Sequence, residues 1–345
     1  MSIIEFNCLP TNIGSLPYTD PVKACSVVAR HLKDIPVWPQ LPRRSFLENL
    51  YVQASEGFPG LVVEVDRVYV NTAADFQKPL EELYAAYLEN DIGRFPIGRD
   101  HAAGLYEFLG KTDLTPRAVK GQVIGPLSWG LTVTDENRRA ILYHEILGDA
   151  VPKFLKLKAA WMERELARVS KNTIIFVDEP IMASYGSIVA TGPFSNPEKI
   201  AGMINEVFEG IRGLKGTHCC GNTDWSVLLK TNLDILNFDA YSYAESVSLY
   251  PEEIKRFLAR GGCIAWGIVP NDAESIGREM VASLKDRLEE AMAPFTRHGV
   301  RFRDLAAQSL ITPRCGLDGL TEDGAEKVLE LLTGLSGEMR RKYGL

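Results

Sequence analysis

The sequence predicts an α/β fold, a (β/α)₈ TIM barrel formed by a single domain over residues 1–345, and three observations lead there. Short apolar segments rich in β-branched residues recur along the whole chain. Longer stretches with helical spacing separate them, which is the alternation of a parallel sheet wrapped in helices. Eight such units in a chain of 345 residues match a barrel. A doubly wound open sheet is the alternative arrangement of the same units.

Taken in order, the expected strands begin with PTNIGS (Pro10 to Ser15), GLVVEVD (Gly60 to Asp66), AVKGQVIGP (Ala118 to Pro126) and NTIIFVDEP (Asn172 to Pro180). The other four are IRGLKGTHC (Ile211 to Cys219), LDILNFDAY (Leu233 to Tyr241), GCIAWGIV (Gly262 to Val269) and AQSLITPRCG (Ala307 to Gly316). Helical spacing runs over Arg138 to Val169, Pro197 to Arg212, Pro251 to Arg260, Asp272 to Arg297 and Glu322 to Tyr343. Two excursions, Val22 to Phe58 and Asn71 to Pro116, read as insertions that wall the active face.

Composition narrows the function. The formal net charge is -7 and no block of Lys and Arg stands out, so nucleic acid and anionic lipid are not the expected partners. No apolar run is long enough for a membrane span and no secretory signal opens the chain, which places the protein in the cytoplasm. Six cysteines are too few for a disulfide framework, so clustered thiols point to metal or catalysis.

The unusual polar residues fall at strand ends, where barrel enzymes build their sites. Ser15 follows the first strand, Glu64 ends the second, Asp178 and Glu179 the fourth, His218, Cys219 and Cys220 the fifth, Asp239 the sixth and Cys315 the eighth. His218 and Cys220 are separated by one residue and so share a face of an extended chain. An imidazole and a thiolate suit zinc, with Cys315 as a second sulfur and Asp239 as an oxygen ligand. The plain alternative is a core histidine beside small buried thiols. Cys219 should point away from the metal, and Cys8, Cys25 and Cys263 are assigned to packing. Ligands drawn from separate strands leave a coordination position for a substrate thiol, which a bound metal deprotonates.

Four short motifs carry a resemblance. NIGSLP, FVDEP, THCCGN and TPRCGL resemble the Ile-Gly-Ser, Asp-Glu-Pro, His-x-Cys and Cys-Gly-Leu signatures of the catalytic barrel of cobalamin-independent methionine synthases, and span Ile13 to Leu317. That family sits in a wider group with uroporphyrinogen decarboxylase and the corrinoid methyltransferases. The resemblance implies that His218, Cys220 and Cys315 bind zinc, with Asp239 where the synthases more often carry glutamate. It also implies that Ser15, Asp178 and Glu64 hold the amino-acid part of homocysteine.

Two departures from the family shape the expected donor. The long synthases add a second barrel that 345 residues do not accommodate, and AWGIVPNDAES lacks the histidine that protonates a departing folate nitrogen, with Asp272 a weak substitute. The donor expected is therefore methylcobalamin or a methylated corrinoid protein, with Trp129 and Trp266 lining the mouth for the flat ring and SYGSIVATGP (Ser184 to Pro193) over it. Rival readings are a methyltetrahydrofolate-dependent synthase, a methylcobamide:coenzyme M methyltransferase, and a metal-free uroporphyrinogen decarboxylase-like lyase suggested by IPVWPQLPRR. A non-catalytic barrel that only holds zinc or a corrinoid is the rival from another class.

Overall fold

The computed structural model describes residues 5–111, 114–188, 194–297 and 299–345. Among the described residues ten strands form, in chain order β1 (Leu9–Pro10), β2 (Leu61–Val63), β3 (Val68–Val70), β4 (Val119–Ile124), β5 (Thr134–Asp135), β6 (Thr173–Asp178), β7 (Leu214–Cys219), β8 (Ile235–Phe238), β9 (Cys263–Val269) and β10 (Ser309–Pro313). Seven make one curled sheet in the order β1-β10-β9-β8-β7-β6-β4, parallel throughout. Helices cover its outer face, the long ones being Glu145–Leu166, Pro197–Phe208, Val281–Arg297 and Glu322–Tyr343. Burial on both faces accounts for strands such as β6 and β9 reading as continuous apolar runs.

The sheet is a curled half-barrel and not the closed ring of eight ladders expected from the sequence. GLVVEVD is the reason: instead of a barrel strand it contributes β2 to a separate three-stranded sheet, order β2-β3-β5, with β2 antiparallel to β3. The space between β1 and β4 is taken by 35–40. Lys120 N–H donates to the Pro36 carbonyl, and Gln40 exchanges backbone bonds with Gly14 and Leu16. Its pairing with the flanking chains takes the form of isolated bridges, Val37 to Lys120 and Ser15 to Gln40. Pro36 and Pro39 have no N–H to give a ladder, which keeps this segment irregular.

Inside the curl the side chains divide by height. Leu9, Ile35, Ile174, Phe176, Ala265 and Leu310 form an apolar plug. Above it Thr11, Asn12, Gln122, Asn237 and Thr312 are buried and polar, and Asp178 and His218 lie at the rim. Side chains on a strand alternate, so position selects the layer: a methyl on Gly121 would meet Met162 and Leu166 of the outer helix, which turns Lys120 and Gln122 inward. Among the described residues no helix is long and apolar enough to cross a membrane.

Candidate metal centre

β7 ends where Thr217 Oγ1 donates to the Val177 carbonyl and Glu179 N–H donates to the His218 carbonyl, which ties the strand tip to β6. His218 and Cys220 leave that tip on one side; Cys219, between them, is fully buried on the other. Cys315 arrives on the turn after β10, where Arg314 N–H donates to the Val269 carbonyl and Leu317 N–H to the Ser15 carbonyl. Gly316 permits this approach, because a methyl there would overlap Ser15 Oγ. One ligand atom from each of His218, Cys220 and Cys315 lies within 4.8 Å of the others.

The histidine is oriented from behind. Asn237 Nδ2 donates to the Ala265 carbonyl and to Thr312 Oγ1, both at 2.8 Å, which leaves its Oδ1 as an acceptor 2.5 Å from His218 Nδ1. Nδ1 therefore carries the proton and Nε2 the lone pair. Nε2 is buried with no oxygen or nitrogen partner. The two sulfurs share one proton: the Cys315 thiol holds Cys220 well below the usual thiol range, and Cys220 pushes Cys315 up. A buried imidazole lone pair beside a thiol and a thiolate is a soft donor set that fits zinc.

His218, Cys220 and Cys315 open into a cavity of about 430 Å³ that Ser15, Glu48 and Asp178 also line. Ser15 Oγ donates to Asp318 Oδ1 at 2.6 Å. Asp178 is buried, its Oδ1 has no partner, and burial pushes its pKa up to about 6 against the pull of the Lys120 charge. Its neighbour Glu179 turns the other way and accepts from Leu127 N–H, Ser128 N–H and Ser128 Oγ, a helix-capping role.

Several expected residues are elsewhere. Glu64 is exposed on the β2–β3 ribbon and does not line the cavity, a consequence of the ribbon lying outside the curled sheet. Asp239 stands outside the three-residue cluster; its Oδ1 accepts Ser242 N–H at 2.9 Å and caps helix Ala240–Ser248. Trp129 and Trp266 are fully buried and face no mouth. Trp129 donates to Ser55 Oγ and packs on Phe58; Trp266 donates to Ser309 Oγ between Phe238 and Phe295. Asp272 is no acid: Ser275 N–H and Arg314 hold its carboxyl low. Residues 189–193 of the glycine-bearing loop lie outside the described residues.

Sequence reasoning missed Glu48, Gln40 and Asn271, which also line the cavity. Glu48 is buried, accepts from Arg44 at 2.8 Å through Oε1 and has no partner at Oε2. Its only signal was a carboxylate four residues after the Pro-Arg-Arg of WPQLPRR, on a short 3₁₀ turn with no periodicity.

No protein-family model matches the chain, and no curated protein matches it. Solved structures do. A B12-independent methionine synthase from Shewanella sp. W3-18-1, in complex with selenomethionine, superposes with a TM-score of 0.61 at 14% identity, over 97% of this chain and 98% of that one. A putative vitamin-B12 independent methionine synthase from Listeria monocytogenes gives 0.58 at 14% identity, over 93% and 86%. The corrinoid donor and corrinoid-protein partner expected from the sequence are overturned by these neighbours, both described as B12-independent, and the tryptophans meant to face that ring are core residues. Over nearly its whole length the chain has the fold of the B12-independent methionine synthase structures.

Proposed function

We propose that this protein is a zinc-dependent methyltransferase that methylates the thiol of homocysteine to give methionine, with 5-methyltetrahydrofolate as donor. The observation that carries the reading is one cavity lined by two chemically distinct sets of groups, a soft wall of His218, Cys220 and Cys315 and an acidic wall of Ser15, Glu48 and Asp178. A metal held by the first wall would bind the substrate thiol and lower its pKa, giving a nucleophile at neutral pH. Asn237 keeps the His218 lone pair aimed at that position. The second wall is acidic, and two of its buried oxygens, Asp178 Oδ1 and Glu48 Oε2, have no partner. An ammonium group is the complementary charge for such carboxylates, and burial strengthens the contact. Glu48 thus takes the part that the family resemblance gave to Glu64.

Support also comes from the Shewanella protein, whose bound selenomethionine is the selenium form of the expected product. The donor follows from both neighbours being B12-independent. The acidic wall argues against the sulfonate of coenzyme M and against a polycarboxylate porphyrin, each of which calls for cationic partners.

The test is to incubate zinc-loaded protein with homocysteine and either 5-methyltetrahydrofolate or methylcobalamin and to quantify methionine. Methionine from the folate is expected. A protein that binds zinc but forms no methionine from the folate would sink the donor assignment, and a protein that holds no zinc would sink the reading as a whole.

A further inference from the structure

Lys120 projects from β4 into the curled sheet and is fully buried. Its ammonium bonds to neutral groups: the Ile13 carbonyl at 2.7 Å and Gln122 Oε1 at 3.4 Å, with the face of Phe176 4.2 Å away. Burial pushes its pKa down to about 8, against the pull of Asp178. A methionine would occupy similar volume without the cost of desolvating a charge, so packing does not account for the amine.

The contacts show what the amine controls. Ile13 belongs to the turn that carries Ser15, and both line the cavity. Lysine only donates, so Gln122 offers it Oε1 and turns Nε2 toward Gly14, where a methyl group would meet both that Nε2 and Gln40 Oε1. Gln40 Nε2 in turn donates to Gln53 Oε1 at 2.7 Å, and Gln53 Nε2 donates to the His101 carbonyl at 2.7 Å. The donor-only ammonium orients the Gln122 amide and the acceptor-only His101 carbonyl orients those of Gln53 and Gln40, while Gln122 Nε2, buried between the two pairs, has no hydrogen-bond partner. Asp178 stands on the neighbouring strand, four residues above Ile174, the register partner of Lys120.

We infer that Lys120 is a positioning residue for the head-group side of the cavity: through Ile13, Gln122 and the charge it places below Asp178, it shapes the wall that grips the amino-acid end of the substrate thiol. It does not touch the sulfur or the metal ligands. The inference rests on the homocysteine reading, and its test separates the two.

The test compares homocysteine with ethanethiol, which has the sulfur and lacks the head group, by titrating each into cobalt-substituted protein and following the absorption spectrum. Wild-type protein should prefer homocysteine; equal affinity there counts against the homocysteine reading itself, before any variant is compared. Lys120→Met should weaken homocysteine by about tenfold and leave ethanethiol within about twofold. Metal content should be unchanged, and KM for homocysteine should rise while kcat stays within about threefold. Unchanged homocysteine affinity in a folded variant overturns the inference, as does equal weakening of both thiols, which marks a general structural role. Should Lys120→Met not fold, Lys120→Gln, which keeps a neutral donor, carries the same comparison. Its homocysteine loss should be about threefold, and no selective loss overturns the inference.

Discussion

The two walls of the cavity are built by different means. The soft wall stands on the ends of regular strands, β7 and β10, and its histidine is braced by Asn237 from β8. The acidic wall, apart from Asp178 at the end of β6, comes from irregular chain: the Ser15 turn, the proline-interrupted segment 35–40 and the short turn Phe46–Glu48. Ladder hydrogen bonds hold the first wall, whereas the second is tied by the separate side-chain pairs Lys120–Gln122 and Gln40–Gln53 and by the backbone bonds of Gln40 to Gly14 and Leu16. A metal site tolerates little misplacement and gains from strands; a head-group site can be assembled from loops tied by amides.

The largest effect should follow from removing a ligand in the soft wall. His218→Ala or Cys220→Ser should reduce bound zinc to a small fraction of wild type, read by elemental analysis, and lower methionine formation by about a thousandfold or more. Retention of full zinc by both variants would break the contrast. Next comes the brace: Asn237→Ala should weaken zinc by about 10- to 100-fold in a chelator competition. In the acidic wall the expected change is smaller and confined to substrate. Glu48→Gln should raise the homocysteine KM by about tenfold with zinc unchanged, while Glu64→Gln should change neither.

The smallest effect sharpens the comparison from outside both walls. Lys158 is also a buried lysine, on helix Glu145–Leu166, donating to the Pro96 carbonyl at 2.7 Å. Burial lowers its pKa to about 7, below the usual lysine value of 10.5. Between those two pH values the unfolded chain holds the proton and the folded one releases it, so this residue's contribution makes the protein more stable as pH rises. Lys158→Met should flatten that dependence in chemical denaturation between pH 7 and 10 and leave homocysteine affinity unaltered. A drop in affinity equal to that of Lys120→Met would mean that any buried lysine shapes the cavity, and the special place of Lys120 would be lost.

Legibility followed the same division. His218 and Cys220 were readable because a one-residue spacing on a strand has a single geometric meaning. Six strands, β4 and β6 to β10, fell within their expected segments because burial on both faces demands apolar, β-branched runs. GLVVEVD carries the same composition and went to a peripheral ribbon, since composition states a preference for extended chain and not its partner. IPVWPQ has two prolines and looks like a loop, yet it occupies the gap between β1 and β4. That exchange moved Glu64 out of the site and brought Glu48 in. Asp239 shows the limit at a single residue: a carboxylate after a strand serves equally as ligand or helix cap, and here it accepts Ser242 N–H.

By itself the sequence determined the α/β alternation, the parallel strands with their helices, and the placing of an imidazole and thiols at strand ends, because each of these depends on residue type and short-range spacing. Tertiary structure alone decided that the sheet curls without closing, which carboxylates share the cavity with the sulfurs, and that Trp129 and Trp266 pack in the core. Those outcomes depend on which distant segments become neighbours, and that choice is made by packing and backbone hydrogen bonding over the whole chain.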